Sequence, residues 1–241
     1  FYPMPKTILG IITARGGSKG IPRKNVKELC GKPLIVYAID AAKRSGVISR
    51  LILSTDDAEI AEVGKRYGAE VPFMRPKELA EDKTPTLPVM QHAVSWLRGN
   101  ENYTPEYIML LQPTCPLRQA FHIREAAELV EKVQLDSIVS VAEIPSHFNP
   151  HWQFLIDEEN RLQIFTGELF SQIIKRRQEL GKTYTRNGAI YLFKTELLFR
   201  QEPTFYGDDV RAYIMEQKYS VNIDSPADWT EAEEAIRKIS E

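Results

Sequence analysis

The stretch Ile8-Leu9-Gly10-Ile11-Ile12-Thr13-Ala14-Arg15-Gly16-Gly17-Ser18-Lys19-Gly20 decides the fold. Its first half is short, apolar and rich in β-branched side chains, which predicts a buried strand. Its second half, glycine-rich and cationic, is a loop. Downstream, Pro33 opens a run with apolar residues at Leu34, Ile35, Ala38, Ile39 and Ala42, closed by Gly46. That is helical periodicity with proline at the start and glycine at the stop. A second apolar run follows at residues 51–54. Strand, loop, helix and strand in this order make a parallel crossover.

The alternation continues. Helices are expected over residues 56–67, 86–97 and 120–133, and strands over 70–73, 107–111 and 137–141. Five strands separated by helices predict an α/β fold with a doubly wound, mostly parallel sheet. The pattern breaks after Ile144. Residues 145–185 carry Pro145 and Pro150, two short candidate strands at 152–156 and 161–165 around an acidic turn, and a candidate helix over 168–180. This reads as an excursion from the sheet, a lid or a dimerisation arm. The core resumes with strands at 189–193 and 220–223 and a last helix over 226–239. A single domain over 4–241 is expected, with 145–185 as its insertion; Phe1, Tyr2 and Pro3 precede Met4 and are left out of it.

Hydrophobic residues at 43% and charged residues at 27% of 241 are ordinary globular values. A net charge of −2 leaves no general basic field for nucleic acid or an anionic membrane. No stretch has the roughly 18 apolar residues of a membrane span, and the amino terminus lacks a signal-peptide layout. Cys30 and Cys115 have neither disulfide-framework nor zinc spacing and are expected as small buried hydrophobes. A cytoplasmic protein is expected.

Local charge is more informative. Residues 15–32 hold Arg15, Lys19, Arg23, Lys24, Lys27 and Lys32 against Glu28, a balance of +5 that leaves the rest of the chain at −7. Glycine lets backbone N–H groups approach phosphate oxygens while lysine and arginine neutralise them, so the loop suits a triphosphate. Alone, it reads equally well as a solvated basic loop, and it matches neither the Walker A nor the strict dinucleotide pattern. At the other end, Ser220-Val221-Asn222-Ile223-Asp224 alternates, placing Asn222 and Asp224 on one face as hard oxygen ligands for magnesium. Ser225, Pro226 and Asp228 already form a capping-box-like helix start, which leaves Asp224 free. Gln112 to Arg118, stiffened by Pro113 and Pro116, follows a strand at the sheet edge where such proteins bind ligands. Arg186-Asn187-Gly188 precedes another strand and reads as readily as a plain turn. His147 and His151 are separated by Pro150, against joint metal ligation; His92 and His122 read as surface or packing residues, and Lys175, Arg176 and Arg177 as a solvated helix face. Nothing resembles a Ser-His-Asp hydrolase or a covalent cysteine site.

Read together, residues 14–25, Leu53-Ser54-Thr55-Asp56, Arg75-Pro76-Lys77-Glu78-Leu79-Ala80, Leu111-Gln112-Pro113-Thr114, Asn187-Gly188-Ala189-Ile190-Tyr191 and Ile223-Asp224 resemble the acylneuraminate cytidylyltransferases, including those acting on pseudaminic and legionaminic acids. The likeness runs in order from residue 8 to about 236. It implies a Rossmann-like nucleotidyltransferase in which a nine-carbon 2-keto acid sugar attacks the α-phosphate of CTP, giving a CMP-sugar and pyrophosphate. By that resemblance Arg15, Ser18, Lys19, Lys24 and Asn25 contact the nucleotide, Arg15 and Lys24 on its phosphates, and Arg75 and Thr86 hold the cytosine end. Gln112, Thr114 and Asn187 face the sugar, Arg177 reaches its carboxylate across a homodimer, and Asp224 with Asn222 binds Mg2+; Arg15, Lys24 and Asp224 are the expected catalytic residues. Three positions depart from the family pattern: Asn222 stands where an aspartate is common, Trp152 where a lysine is, and Thr185 where an arginine is, with Arg186 one position on. The alternatives are a nucleotidyltransferase for Kdo or another nucleotide, and a non-catalytic nucleotide-binding regulator.

Overall fold

The computed structural model describes residues 7–133 and 135–240. The start of the expected domain at Met4 and its last residue, Glu241, lie outside the described residues. The opening stretch forms β1 (Ile8–Thr13), which leads through the cationic loop and the two-residue strands β2 (Glu28–Leu29) and β3 (Lys32–Pro33) into α1 (Leu34–Ser45). β4 (Arg50–Ser54), α2 (Ala58–Tyr67), α3 (Thr86–Glu101), β5 (Tyr107–Leu110), α4 (Ala120–Val133) and β6 (Ser137–Glu143) follow. The excursion contributes β7 (Phe154–Ile156) and β8 (Leu162–Ile164), after which come β9 (Tyr184–Lys194), β10 (Val210–Ile214) and α5 (Pro226–Ser240).

The main sheet has six strands in the order β10-β6-β9-β5-β1-β4. β1 pairs parallel with β4 and β5, and β10 parallel with β6; β9 runs antiparallel between β5 and β6. The mostly parallel α/β expectation therefore holds, with one reversed strand that the excursion makes possible by carrying the chain out beyond β6 and back. In β1, Ile8 and Ile12 join the core under α1 and α4, while Leu9 and Ile11 join the core under α3. Burial on both faces is why the strand reads as a continuous apolar run. α5 packs through Trp229 and Ala232 against Ile21, Leu29, Leu34 and Ile223, which pins the carboxyl end of the chain to the cationic loop.

Four expectations are corrected. Residues 70–73 form only one bridge, between Ile52 and Glu70. Residues 220–223 are not a strand; the sixth strand is β10, an edge strand with Tyr213 as its single buried side chain and so almost no hydrophobic signal. Residues 168–180 hold two 3-10 turns, Phe170–Gln172 and Arg177–Glu179, rather than a helix, because backbone groups there bond elsewhere, the Ile174 carbonyl accepting from Trp152 Nε1 at 2.7 Å. Cys30 is exposed, with φ +48°, at the tight turn between β2 and β3, whereas Cys115 is buried as expected.

Candidate active site

The carboxyl ends of β1 and β5 release residues 14–25 and 112–114 into one crevice, and residues 55–57, after β4, back the first of them at Gly16. This is the position at which open parallel sheets bind ligands. A cavity of about 420 Å³ lies there, lined by Arg15, Ser18, Lys24, Asn25, Arg75, Asp82, Thr86, Gln112, Thr114, Asn222 and Asp224 among others. Ten of the sequence-predicted positions thus converge, from segments as distant as Arg15 and Asp224.

The loop is built to stay in place. Asn25, 7% exposed, donates through Nδ2 to the Arg15 carbonyl at 3.0 Å, and Gly16 N donates to Asp56 Oδ1 at 3.0 Å. Gly20 lies so close to the Asp224 backbone that a Cβ there would come within 2.5 Å of the Asp224 carbonyl oxygen, which explains the glycine. Lys24 Nζ donates to the Ile223 carbonyl at 2.8 Å and stands 3.6 Å from Asp224 Oδ1. Arg75 is buried; it donates to Ser54 Oγ at 3.0 Å and to the Ser54 carbonyl, and burial pulls its guanidinium down to about 10, still protonated at neutral pH. Lys19 does not line the cavity but pairs with Asp82 at 2.5 Å, as Arg15 does at 2.6 Å. Those two partners hold the Asp82 carboxyl below the usual carboxylate range.

Asn222 and Asp224 meet although their segment is not a strand. Ile223 N donates to the Thr114 carbonyl at 2.8 Å and its side chain is fully buried, so its two neighbours turn outward together. Asn222 Nδ2 donates to Asp224 Oδ2 at 2.6 Å. The Asn222 amide oxygen instead accepts from Cys115 Sγ at 3.5 Å, so it is the exposed Asp224 carboxylate, facing the cationic loop, that fits magnesium, which takes few protein oxygens and completes its shell with water and phosphate. Among the described residues no group of three or more His, Cys, Asp or Glu could hold a metal. Ser225 and Asp228 cap α5 reciprocally, with Ser225 N to Asp228 Oδ2 at 2.7 Å, as the sequence implied.

A second cavity of about 440 Å³ adjoins the first and shares Thr86, Gln112 and Asn222 with it. Asn187, Gly188, Tyr191, Phe205, Tyr206 and Gln217 contribute to its wall, and Arg186 is its one charged lining residue. Asn187 is buried and spent on structure: Ser140 Oγ donates to its Oδ1 at 2.6 Å, and its Nδ2 donates to Ser220 Oγ at 3.0 Å. Arg186 donates to the Tyr206 hydroxyl at 3.4 Å. Arg177 lines neither cavity and sits in the excursion. Sequence reasoning gave no role to Asp82, Tyr206 or Arg186. Asp82 is a lone acid in a polar loop, and Tyr206 lies in a stretch without periodicity; Arg186 alone carried a signal, its place beside Asn187-Gly188.

The match to known proteins is now decisive: a family model described as cytidylyltransferase spans residues 9–240. The chain belongs to the cytidylyltransferase family. It is 34% identical over 230 residues to a CMP-N,N'-diacetyllegionaminic acid synthase of Legionella pneumophila, covering 95% of this chain and 96% of that protein. A pseudaminic acid cytidylyltransferase of Campylobacter jejuni is 33% identical over 91% of this chain and 92% of its own. An N-acylneuraminate cytidylyltransferase of Streptococcus agalactiae is 34% identical over 91% of this chain, which spans 51% of that protein. The fold of this cytidylyltransferase also matches the structure of a CMP:2-keto-3-deoxy-manno-octonic acid synthetase complexed with CTP, at TM-score 0.70 and 14% identity over 97% of this chain and 99% of the other. The protein is an enzyme of the nucleotidyltransferase class, and no helix among its described residues is long and apolar enough to cross a membrane.

Proposed function

We propose that this cytidylyltransferase joins CTP to a nine-carbon 2-keto acid sugar of the sialic acid type, giving a CMP-sugar and pyrophosphate. The observation that carries the reading is the pair of cavities meeting at Thr86, Gln112 and Asn222, one with Arg15, Lys24 and Arg75 on its wall and the other with Arg186 as its single charge. A triphosphate needs several cations and a monocarboxylate needs one. The names of the relatives supply the substrate class.

The sugar's anomeric hydroxyl oxygen attacks the α-phosphorus as the bond to the β-phosphate oxygen breaks; pyrophosphate leaves and the hydroxyl proton passes to solvent. The protein's part is positioning and charge. Arg15 and Lys24 hold the phosphates, with Ser18, Lys19 and Asn25 completing the loop, while Arg75 and Thr86 take the cytosine end. Gln112, Thr114 and Asn187 shape the sugar side, where Arg186 faces the carboxylate. Asp224 would hold magnesium, which supplies neutralisation of charge on the triphosphate and departing pyrophosphate. Arg177 serves the partner's site in a homodimer, whose contact is the apolar excursion with Phe154, Leu155, Ile156 and Phe165 exposed. The enzyme works in the cytoplasm.

Pyrophosphate release is the test, with CTP, magnesium and a panel of 2-keto acid sugars. Turnover with CTP and a nine-carbon acid sugar is expected, and Asp224→Ala should remove its magnesium stimulation. Turnover with GTP and not CTP, or only with the eight-carbon acid Kdo, would overturn the reading.

A further inference from the structure

A third cavity, about 610 Å³, shares no lining residue with the two just described. It lies where α1, the Pro116–Gln119 turn, the first turns of α4 and the end of α5 come together. Its charge is one-sided: Lys32, Arg44, Arg118 and Arg124 against a single acid, Asp40. Lys32 is already paired with Asp40 at 2.6 Å. Arg44 and Arg124 have no ion-pair partner among the described residues, so the lining keeps an uncompensated positive balance. The opening turn of α4 adds the positive end of a fourteen-residue helix dipole. Between the charges the lining is apolar, with Leu117, Phe121, Ile236 and Ile239.

Arg118 is the second, independent observation. It is 2% exposed, and Nη1 alone of its three nitrogens has partners, the carbonyls of Ala189 at 2.7 Å and Gln112 at 3.2 Å. Nε and Nη2 are buried without one. Buried guanidinium nitrogens are rarely left so, since an unmet charged donor is costly. Burial lowers Arg118 to about 10, so it keeps its charge at neutral pH. None of the reaction chemistry above uses this cation, Arg44 or Arg124.

We propose that this cavity is a second ligand site, separate from the active site, for a small organic phosphate. The phosphate meets the exposed Arg44 and Arg124, whose planar forks suit its oxygens, over the buried charge of Arg118. The organic body lies against Phe121 and Ile236. Because Arg118 also bonds the Gln112 carbonyl, the site touches the turn that forms part of both active-site cavities.

Titration calorimetry with phenyl phosphate tests this on the whole protein. Wild type should bind with millimolar affinity, which an ordinary ligand efficiency of about 0.3 kcal/mol per non-hydrogen atom gives for phenyl phosphate. Arg44→Glu combined with Arg124→Glu, both at exposed positions, should weaken that binding at least about tenfold, or about 1.4 kcal/mol, while pyrophosphate release from CTP is retained. Lys24→Ala should keep the binding. The proposal is overturned if the double variant binds as wild type does, if Lys24→Ala alone abolishes binding, or if wild type shows none up to about 10 mM. These outcomes are independent of which sugar the enzyme uses.

Discussion

Asp82 occupies the two loop cations, Arg15 and Lys19, that are proposed to meet phosphate. A carboxylate in that place competes with nucleotide, so Asp82→Asn should lower the KM for CTP several-fold while leaving kcat within a factor of about two; a raised KM would show that Asp82 helps to bind rather than competes. Exposure of the pair keeps the effect modest. Lys24 is the opposite case. It is held by the Ile223 carbonyl beside Asp224, and removing it leaves developing phosphate charge unmet. Lys24→Ala should cut kcat roughly 100- to 1000-fold with an unchanged thermal melt. Near-normal turnover would refute its role.

At the scale of elements, β9 shows what pattern alone conceals. Its reversed direction follows from the excursion, and its bend at Gly188, with φ +74°, brings the backbone into the second cavity's wall. A Cβ at Gly188 would stand 2.9 Å from Gln112 Oε1 and 3.5 Å from Cys115 Sγ. Gly188→Ala is expected to cost about 1 kcal/mol or more in stability from the positive φ and to raise the sugar KM more than the CTP KM; equal changes in both would place Gln112 outside the sugar side. α4 carries the main titration. His122 is buried among Phe121, Tyr213 and Tyr219, accepts from Gln119 N at 3.0 Å, and is pushed down to about 4 by burial. The folded protein therefore keeps it neutral below pH 6.5, where the unfolded chain takes a proton. Stability should fall as pH drops from about 6.5 to about 4, by up to about 3 kcal/mol, and His122→Phe should flatten that slope in denaturant melts. The sequence left His122 as a surface or a packing residue, and its burial decides for packing. Its helix was legible from the spacing of Ile123, Ala126, Ala127 and Val130, all buried on one side.

For the whole molecule, the excursion is the least self-sufficient part. β7 and β8 form a two-stranded hairpin whose Leu155, Ile156 and Leu162 are 49%, 65% and 48% exposed. Isolated hairpins of this kind are marginal in water. Sedimentation should find a dimer at micromolar concentration, and Leu155→Lys with Ile156→Lys should give a folded monomer with reduced turnover; a monomeric wild type would remove the excursion's proposed role and that of Arg177.

By itself the sequence determined the layered α/β core, because strands such as Ile8–Thr13 are apolar on both faces and helices such as Leu34–Ser45 repeat at 3.6 residues. It also determined that the loop is glycine-rich and cationic, since these are local properties of one short stretch. Tertiary structure alone decided that Lys24 and Asp224, 200 positions apart, share one cavity, that Asp82 closes on Arg15, and that β10 rather than residues 220–223 completes the sheet. Those outcomes depend on strand order and on where long connections return. Periodicity reports only which face of each element is dry, and an edge strand with one buried residue scarcely reports even that.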